Sequence, residues 1–204
     1  MTLHKVKVQA LAFSPSETFL ASLGGQDDNS ILIWDLNTAK AICGAPASKE
    51  TSGCANALVF SNRSDQVFVS GGAETLRVWE FDTVNRKIRP TDCQLGQIKR
   101  NVKCLAVDDE DQFMYAGTTT GDVLQVSMSG KLFRHAGPTK DKDRFAGGVL
   151  CLKTMPGSPD TILAGAGDGT ISELDRSTLN ILQYRSCLFA PFCVPHASGP
   201  MTCI

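Results

Sequence analysis

Four stretches of this chain share one pattern. "VQALAFSPSETFLASLG" begins at Val8, "NALVFSNRSDQVFVSGG" at Asn56, "VKCLAVDDEDQFMYAGT" at Val102 and "VLCLKTMPGSPDTILAG" at Val149. The residues that close their first apolar run, Phe13, Phe60, Val107 and Thr154, are 47 apart each time. A constant period of this size marks an array of supersecondary units, none of which can bury its apolar face alone. Each unit must therefore fold like the next and cover it.

Within a unit the pattern is that of strands: short alternating segments rich in β-branched residues, separated by turn clusters. "ALAF" leads to a Ser/Pro/Glu turn, then "TFLAS", a Gly/Asp/Asn turn, "ILIWDL" and finally "AKAIC". "ILIWDL" has counterparts in "LRVWEF" at 76–81, "VLQVSM" at 123–128 and "ISELDR" at 171–176. Its Trp column reads Trp34, Trp79, Val126 and Leu174, and its acid column Asp35, Glu80, Ser127 and Asp175. Later fourth strands are expected near 86–89, 131–134 and 178–182. No segment carries a long helical period.

Four short antiparallel strands per unit at this spacing predict an all-β fold, a β-propeller of four consecutive blades. The blades are expected at about 4–48, 49–95, 96–142 and 143–183, with 184–204 a disordered tail. The units resemble the WD40-repeat family, and the first is the most complete: Phe13-Ser14-Pro15, Leu20-Ala21-Ser22, Asp28 and Trp34-Asp35 follow the family pattern. His4 stands nine residues before Phe13, as in the family's Gly-His element, with Leu3 in place of the Gly. The resemblance implies a buried hydrogen-bond chain through His4, Ser22, Asp28 and Trp34. The other three units lack the His and are expected to rest on packing.

Four blades use up the chain, whereas propellers of this family usually need about seven to close. The expectation is a fragment or truncated product of a larger propeller. The tail "YRSCLFAPFCVPHASGPMTCI" has Pro191, Pro195 and Pro200 and does not begin a fifth blade.

The residues offer no catalytic or cofactor constellation, and the chain is expected to be non-enzymatic. His4, His135 and His196 are dispersed. The eight Cys form no C-x-x-C and no zinc-finger spacing, so no metal site is expected. Without a secretory signal they suit a reducing compartment, and Cys104 and Cys151 read as small buried hydrophobes. "GAGDGT" at 165–170 lacks the phosphate-loop Lys and reads as a tight turn. "DDEDQ" at 108–112 reads as a solvated hairpin turn, not a calcium loop. A net charge of −1 and the lack of a long apolar run argue against nucleic acid and membrane as partners.

Partner contacts are then expected on loops. Residues 85–103 carry six basic side chains, Arg86, Lys87, Arg89, Lys99, Arg100 and Lys103, against one Asp. They are the candidate contact with an acidic protein partner.

Over about residues 2–183 the units also resemble a ciliary family of tandem-propeller proteins. "ALAFSPSETFLASLGGQDDNSILIWDLNTAKAICGAPAS", "ALVFSNRSDQVFVSGGAETLRVWEFD" and "RNVKCLAVDDEDQFMYAGTTTGDVLQV" carry that likeness. It implies a scaffold within the doublet microtubules of motile cilia or flagella, in contact with tubulin and other axonemal inner proteins. The residues alone leave a second class open, an adaptor propeller such as a ubiquitin-ligase substrate receptor or a signalling scaffold.

Overall fold

Alternation in "VQALAF" and the turn formers that follow make the first hairpin, and the period repeats it along the chain. The computed structural model describes residues 3–49, 52–155 and 158–186. Blade 1 comprises β1 (Val8–Phe13), β2 (Phe19–Gly24), β3 (Ser30–Asp35) and β4 (Lys40–Pro46). Blade 2 comprises β5 (Ala55–Phe60), β6 (Val67–Gly72), β7 (Thr75–Asp82) and β8 (Lys87–Asp92). Blade 3 comprises β9 (Val102–Val107), β10 (Phe113–Thr118), β11 (Val123–Ser127) and β12 (Phe133–Gly137). Blade 4 comprises β13 (Val149–Met155), β14 (Ser158–Ala166), β15 (Thr170–Asp175) and β16 (Ile181–Ser186). Each blade is one antiparallel sheet with its strands in chain order. Residues 187–204 of the expected tail lie outside the described residues.

The fourth strands of blades 2 to 4 start later than expected. Each turn from third to fourth strand passes through a non-glycine residue with positive φ: Ala39 at 55°, Arg86 at 52°, Lys131 at 54° and Leu179 at 56°. Such residues are uncommon in the left-handed region, and here the turn takes the positions first given to the strand.

Successive blades pack through their first strands, β1 on β5, β5 on β9 and β9 on β13. Three apolar clusters fill the three interfaces. Ala21, Leu23, Ile31 and Ile33 of blade 1 meet Leu58, Phe60, Phe68, Trp79 and Phe81 of blade 2. Val69, Leu76 and Val78 of blade 2 meet Val107, Met114, Leu124 and Val126 of blade 3. Tyr115 and Val123 of blade 3 meet Val149, Leu152, Ile162 and Leu174 of blade 4. Each blade thus presents a forward face to the next and a backward face to the one before. Burying one such side chain stabilises by about 1.5–3 kcal/mol, so these interfaces hold the array together.

The chain alternates between two ends of each blade. The upper end carries the turns from second to third strand and the links between blades. The lower end carries the other two turns of each blade.

Candidate functional site

The polar groups of blade 1 converge at its upper end. His4 arrives in the segment before β1, Ser22 lies in the buried part of β2, Asp28 lies in the β2–β3 turn and Trp34 is on β3. The Trp34 indole N–H donates to Ser22 Oγ at 2.7 Å. Ser22 Oγ lies 2.8 Å from His4 Nε2, and His4 Nδ1 lies 2.9 Å from Asp28 Oδ2. An ionised carboxylate only accepts, so His4 donates to Asp28 through Nδ1, while its Nε2 is hydrogen-bonded to the Ser22 hydroxyl. The structure therefore brings His4, Ser22, Asp28 and Trp34 into one chain of three hydrogen bonds. The His4 and Asp28 side chains are 6% and 9% exposed. Burial pushes the Asp28 carboxyl upward, but hydrogen bonds from His4, Lys5 N–H and Ser30 N–H outweigh it and hold it below the usual range. Gly24 makes room for this arrangement, since a Cβ there would lie 1.7 Å from Asp28 Oδ1 and 2.7 Å from His4 Nδ1.

Blade 2 keeps the inner half of that chain. Trp79 donates to Ser70 Oγ at 2.8 Å and stacks on Phe68 with ring centroids 5.7 Å apart. Blades 3 and 4 have Val126 and Leu174 in the Trp column, and the position matching Ser22 and Ser70 is Ala116 and Ala164. Blade 3 nevertheless ties its incoming link to its upper turn by other residues. Arg100 Nε donates to Asp122 Oδ2 at 2.9 Å, and Thr120 Oγ1 donates to Asp122 Oδ1 at 2.8 Å, with the Thr118 hydroxyl bonded to the same carboxylate. Burial works against the Asp122 charge, yet Thr118, Thr120 and Arg100 together hold its carboxyl low.

Two further polar joints cross between blades. Arg77, 5% exposed, donates to Asp92 at 2.7 Å and to the Ala47 carbonyl of blade 1 at 3.1 Å. At the lower end, Arg176 of blade 4 donates to the Tyr115 hydroxyl of blade 3 at 3.1 Å and pairs with Asp108. Asp108 is fully buried, and Asp111 accepts from the backbone N–H groups of Asn62 and Arg63. The "DDEDQ" stretch is thus an interblade joint rather than a wholly solvated turn, because successive lower turns lie side by side. Sequence gave one signal for it, the acids recurring at this turn as Asp65, which accepts from Ser16 N–H at 3.0 Å. Cys151 is exposed where a buried residue was expected, and Cys104 is half-buried. Both belong to the forward face, which blade 4 covers only for Cys104.

The six basic candidates do not form one patch. Residues 85–103 are not a single loop, because β8 runs through them, and its six residues at about 3.3 Å each span roughly 20 Å. Arg86 and Lys87 stand exposed at the lower end, with Arg89 Nη2 3.4 Å from Asp82. Lys99 and Arg100 lie at the upper end, bonded to Glu74 and Asp122. Lys103 is exposed on β9. Arg100 is thereby committed to the fold. Beside the lower group, Val84 is 89% exposed and borders a groove of about 390 Å³ lined also by Gln66, Glu80 and Arg89.

Residues 1–35, which hold the complete hydrogen-bond chain, match the family model described as WD domain, G-beta repeat. The chain is a WD40-repeat protein. Its similarity to particular WD40 relatives extends much further than that first repeat. It is 45% identical over 84% of its length to cilia- and flagella-associated protein 52 of Bos taurus. It is 46% identical over 84% of its length to the protein of that name in Homo sapiens, and 45% identical over 85% to that of Chlamydomonas reinhardtii. The chain spans 27% of the length of these relatives.

Proposed function

We propose that this WD40 chain is a non-enzymatic scaffold of motile cilia and flagella. In this reading it is a microtubule inner protein of the axonemal cytoskeleton. It contacts tubulin and neighbouring inner proteins, stiffens the doublet and supports cilium movement. One observation carries the reading: 45–46% identity over 84–85% of the chain to relatives named for cilia and flagella in both mammals and an alga. The polar groups described above support it, since most of them bond one another and serve rigidity. We place the partner contact at the lower corner of blade 2, where the exposed Arg86 and Lys87 follow Val84 of the groove and suit an acidic protein surface.

The test is capture of the tagged chain from ciliated and non-ciliated cells. Recovery of tubulin and axonemal proteins from the ciliated cells alone is the expected result. Recovery of ubiquitin-ligase or signalling subunits from both cell types would overturn it in favour of the adaptor class.

A further inference from the structure

The interfaces between blades set side chains at matching positions, and the lower edge of the third is built differently. Between blades 1 and 2 that edge is closed by Phe19 and Phe81, whose rings meet edge to face with centroids 5.1 Å apart. The matching residues between blades 3 and 4 are Phe113 and Arg176. Ile33 and Val78, buried at the first two interfaces, give way to Gln125 at the third. Arg176 is drawn to Asp108 and to the Tyr115 hydroxyl, 3.1 Å away. A pocket of about 480 Å³ stands beside them, between blades 3 and 4.

The base of the pocket holds an acceptor that the fold does not use. Gln125 is 6% exposed, and its Nε2 donates to the Tyr115 hydroxyl at 3.2 Å and to the Arg176 carbonyl at 3.3 Å. A carbonyl only accepts, which fixes the amide nitrogen on that side. Oε1 accepts from no described residue and is left to the pocket that Gln125 lines. The walls carry the carboxylates of Glu110, Asp160 and Asp175, against one cation, Arg176, whose charge Asp108 answers. Ser177 and Thr178 all bond Oδ1 of Asp175, so Oδ2 accepts from no described residue. Those bonds hold the Asp175 carboxyl below its ordinary value, ionised at neutral pH. Among the described residues no three acidic, His or Cys side chains converge to hold a metal ion. The carboxylates are spread for a larger cation.

We propose that this pocket binds the guanidinium of an arginine side chain carried by a partner protein. The planar group offers five donors, for Gln125 Oε1 at the base and for the carboxylates around it, and its face stacks on the Phe113 ring. An ammonium concentrates three donors at one point and has no face to stack. Residues 1–2, 50–51, 156–157 and 187–204, outside the described ones, contain no Lys or Arg and do not supply the cation. The proposal goes beyond the ciliary reading and does not depend on it.

NMR titration of the 204-residue chain with the blocked tripeptide Ac-Gly-Arg-Gly-NH2 tests it. The Gln125 side-chain amide signals should shift and saturate in the millimolar range, the scale of a single anchoring side chain. The same peptide with Lys should bind about fivefold more weakly or worse. The peptide with citrulline, which keeps the shape without the charge, should give no saturable shift. Glu110→Gln and Asp160→Asn alter exposed side chains, so both variants should fold. Each should weaken the Arg peptide about two- to fivefold, the scale of a rim ion pair. Asp109→Asn, an exposed acid of the same turn outside the pocket, should leave its affinity unchanged. No saturable shift at Gln125 would overturn the proposal. Equal binding of the Lys or citrulline peptide, or an equal loss in Asp109→Asn, would overturn it too.

Discussion

Blades 1 and 2 solve one packing problem with a polar pair, and blades 3 and 4 solve it without one. Trp34 with Ser22 and Trp79 with Ser70 each place an indole N–H on a buried hydroxyl. Val126 with Ala116 and Leu174 with Ala164 fill the same positions, all four fully buried. The two columns change together. A buried indole N–H without an acceptor is costly, whereas replacing both partners by apolar groups is nearly neutral. The comparison shows that the Trp column is a packing position, and that Trp constrains a second residue on the neighbouring strand.

The largest effect should come from Trp79→Ala set against Val126→Ala. Trp79 is fully buried against Phe68, and its truncation should cost about 3–5 kcal/mol. Val126→Ala removes far less apolar volume and should cost on the order of 2 kcal/mol. Denaturant midpoints measure both, and equal losses would break the comparison. A smaller effect tests the coupling itself. Ser70→Ala alone should cost about 1–3 kcal/mol, because it strands the Trp79 N–H. Combined with Trp79→Leu it recreates the blade 4 pair, and the double variant should lose less than the sum of the two single losses. Additive losses would mean that the columns are independent.

The period, the four-strand unit and the Trp column were all legible in the sequence, because each depends on local alternation. So was the set His4, Ser22, Asp28 and Trp34, since one repeat retained every member. The Ser-to-Ala exchange that accompanies the loss of Trp is faint by comparison, because Ala116 and Ala164 look like any small strand residue. Arg100 and Asp122 were harder still. They do the work of the His4–Asp28 contact with different residue types, and Arg100 reads in sequence as one more exposed base. The basic stretch misled for a geometric reason: residues adjacent along the chain lie at opposite ends of a strand.

Blades 1 and 3 should respond alike to acid despite these different partners. Asp28 and Asp122 both have carboxyls held below their ordinary value. A carboxyl depressed in the folded state contributes stability that is present above the unfolded value, near 4, and is lost as pH falls through the folded value. The denaturant midpoint should therefore drop on acidification below about pH 4, and less steeply in Asp28→Asn and Asp122→Asn. Unchanged slopes in both variants would remove these carboxylates from the pH dependence.

The smallest effect on stability should come from the basic residues of the lower turn of blade 2, set against Arg100 at the upper end of blade 3. Arg86→Glu and Lys87→Glu alter exposed side chains of the lower turn and should shift stability by no more than about 0.5 kcal/mol. Arg100→Glu sets a like charge against the buried Asp122 carboxylate and should destabilise much more. Partner capture should show the reverse order once folded protein is compared: the lower-turn variant loses binding and salt sensitivity, because those side chains have little to do for the fold. A lower-turn variant that melts early would place these bases among the structural joints. One that is stable and still binds its partner fully would move the contact to another rim.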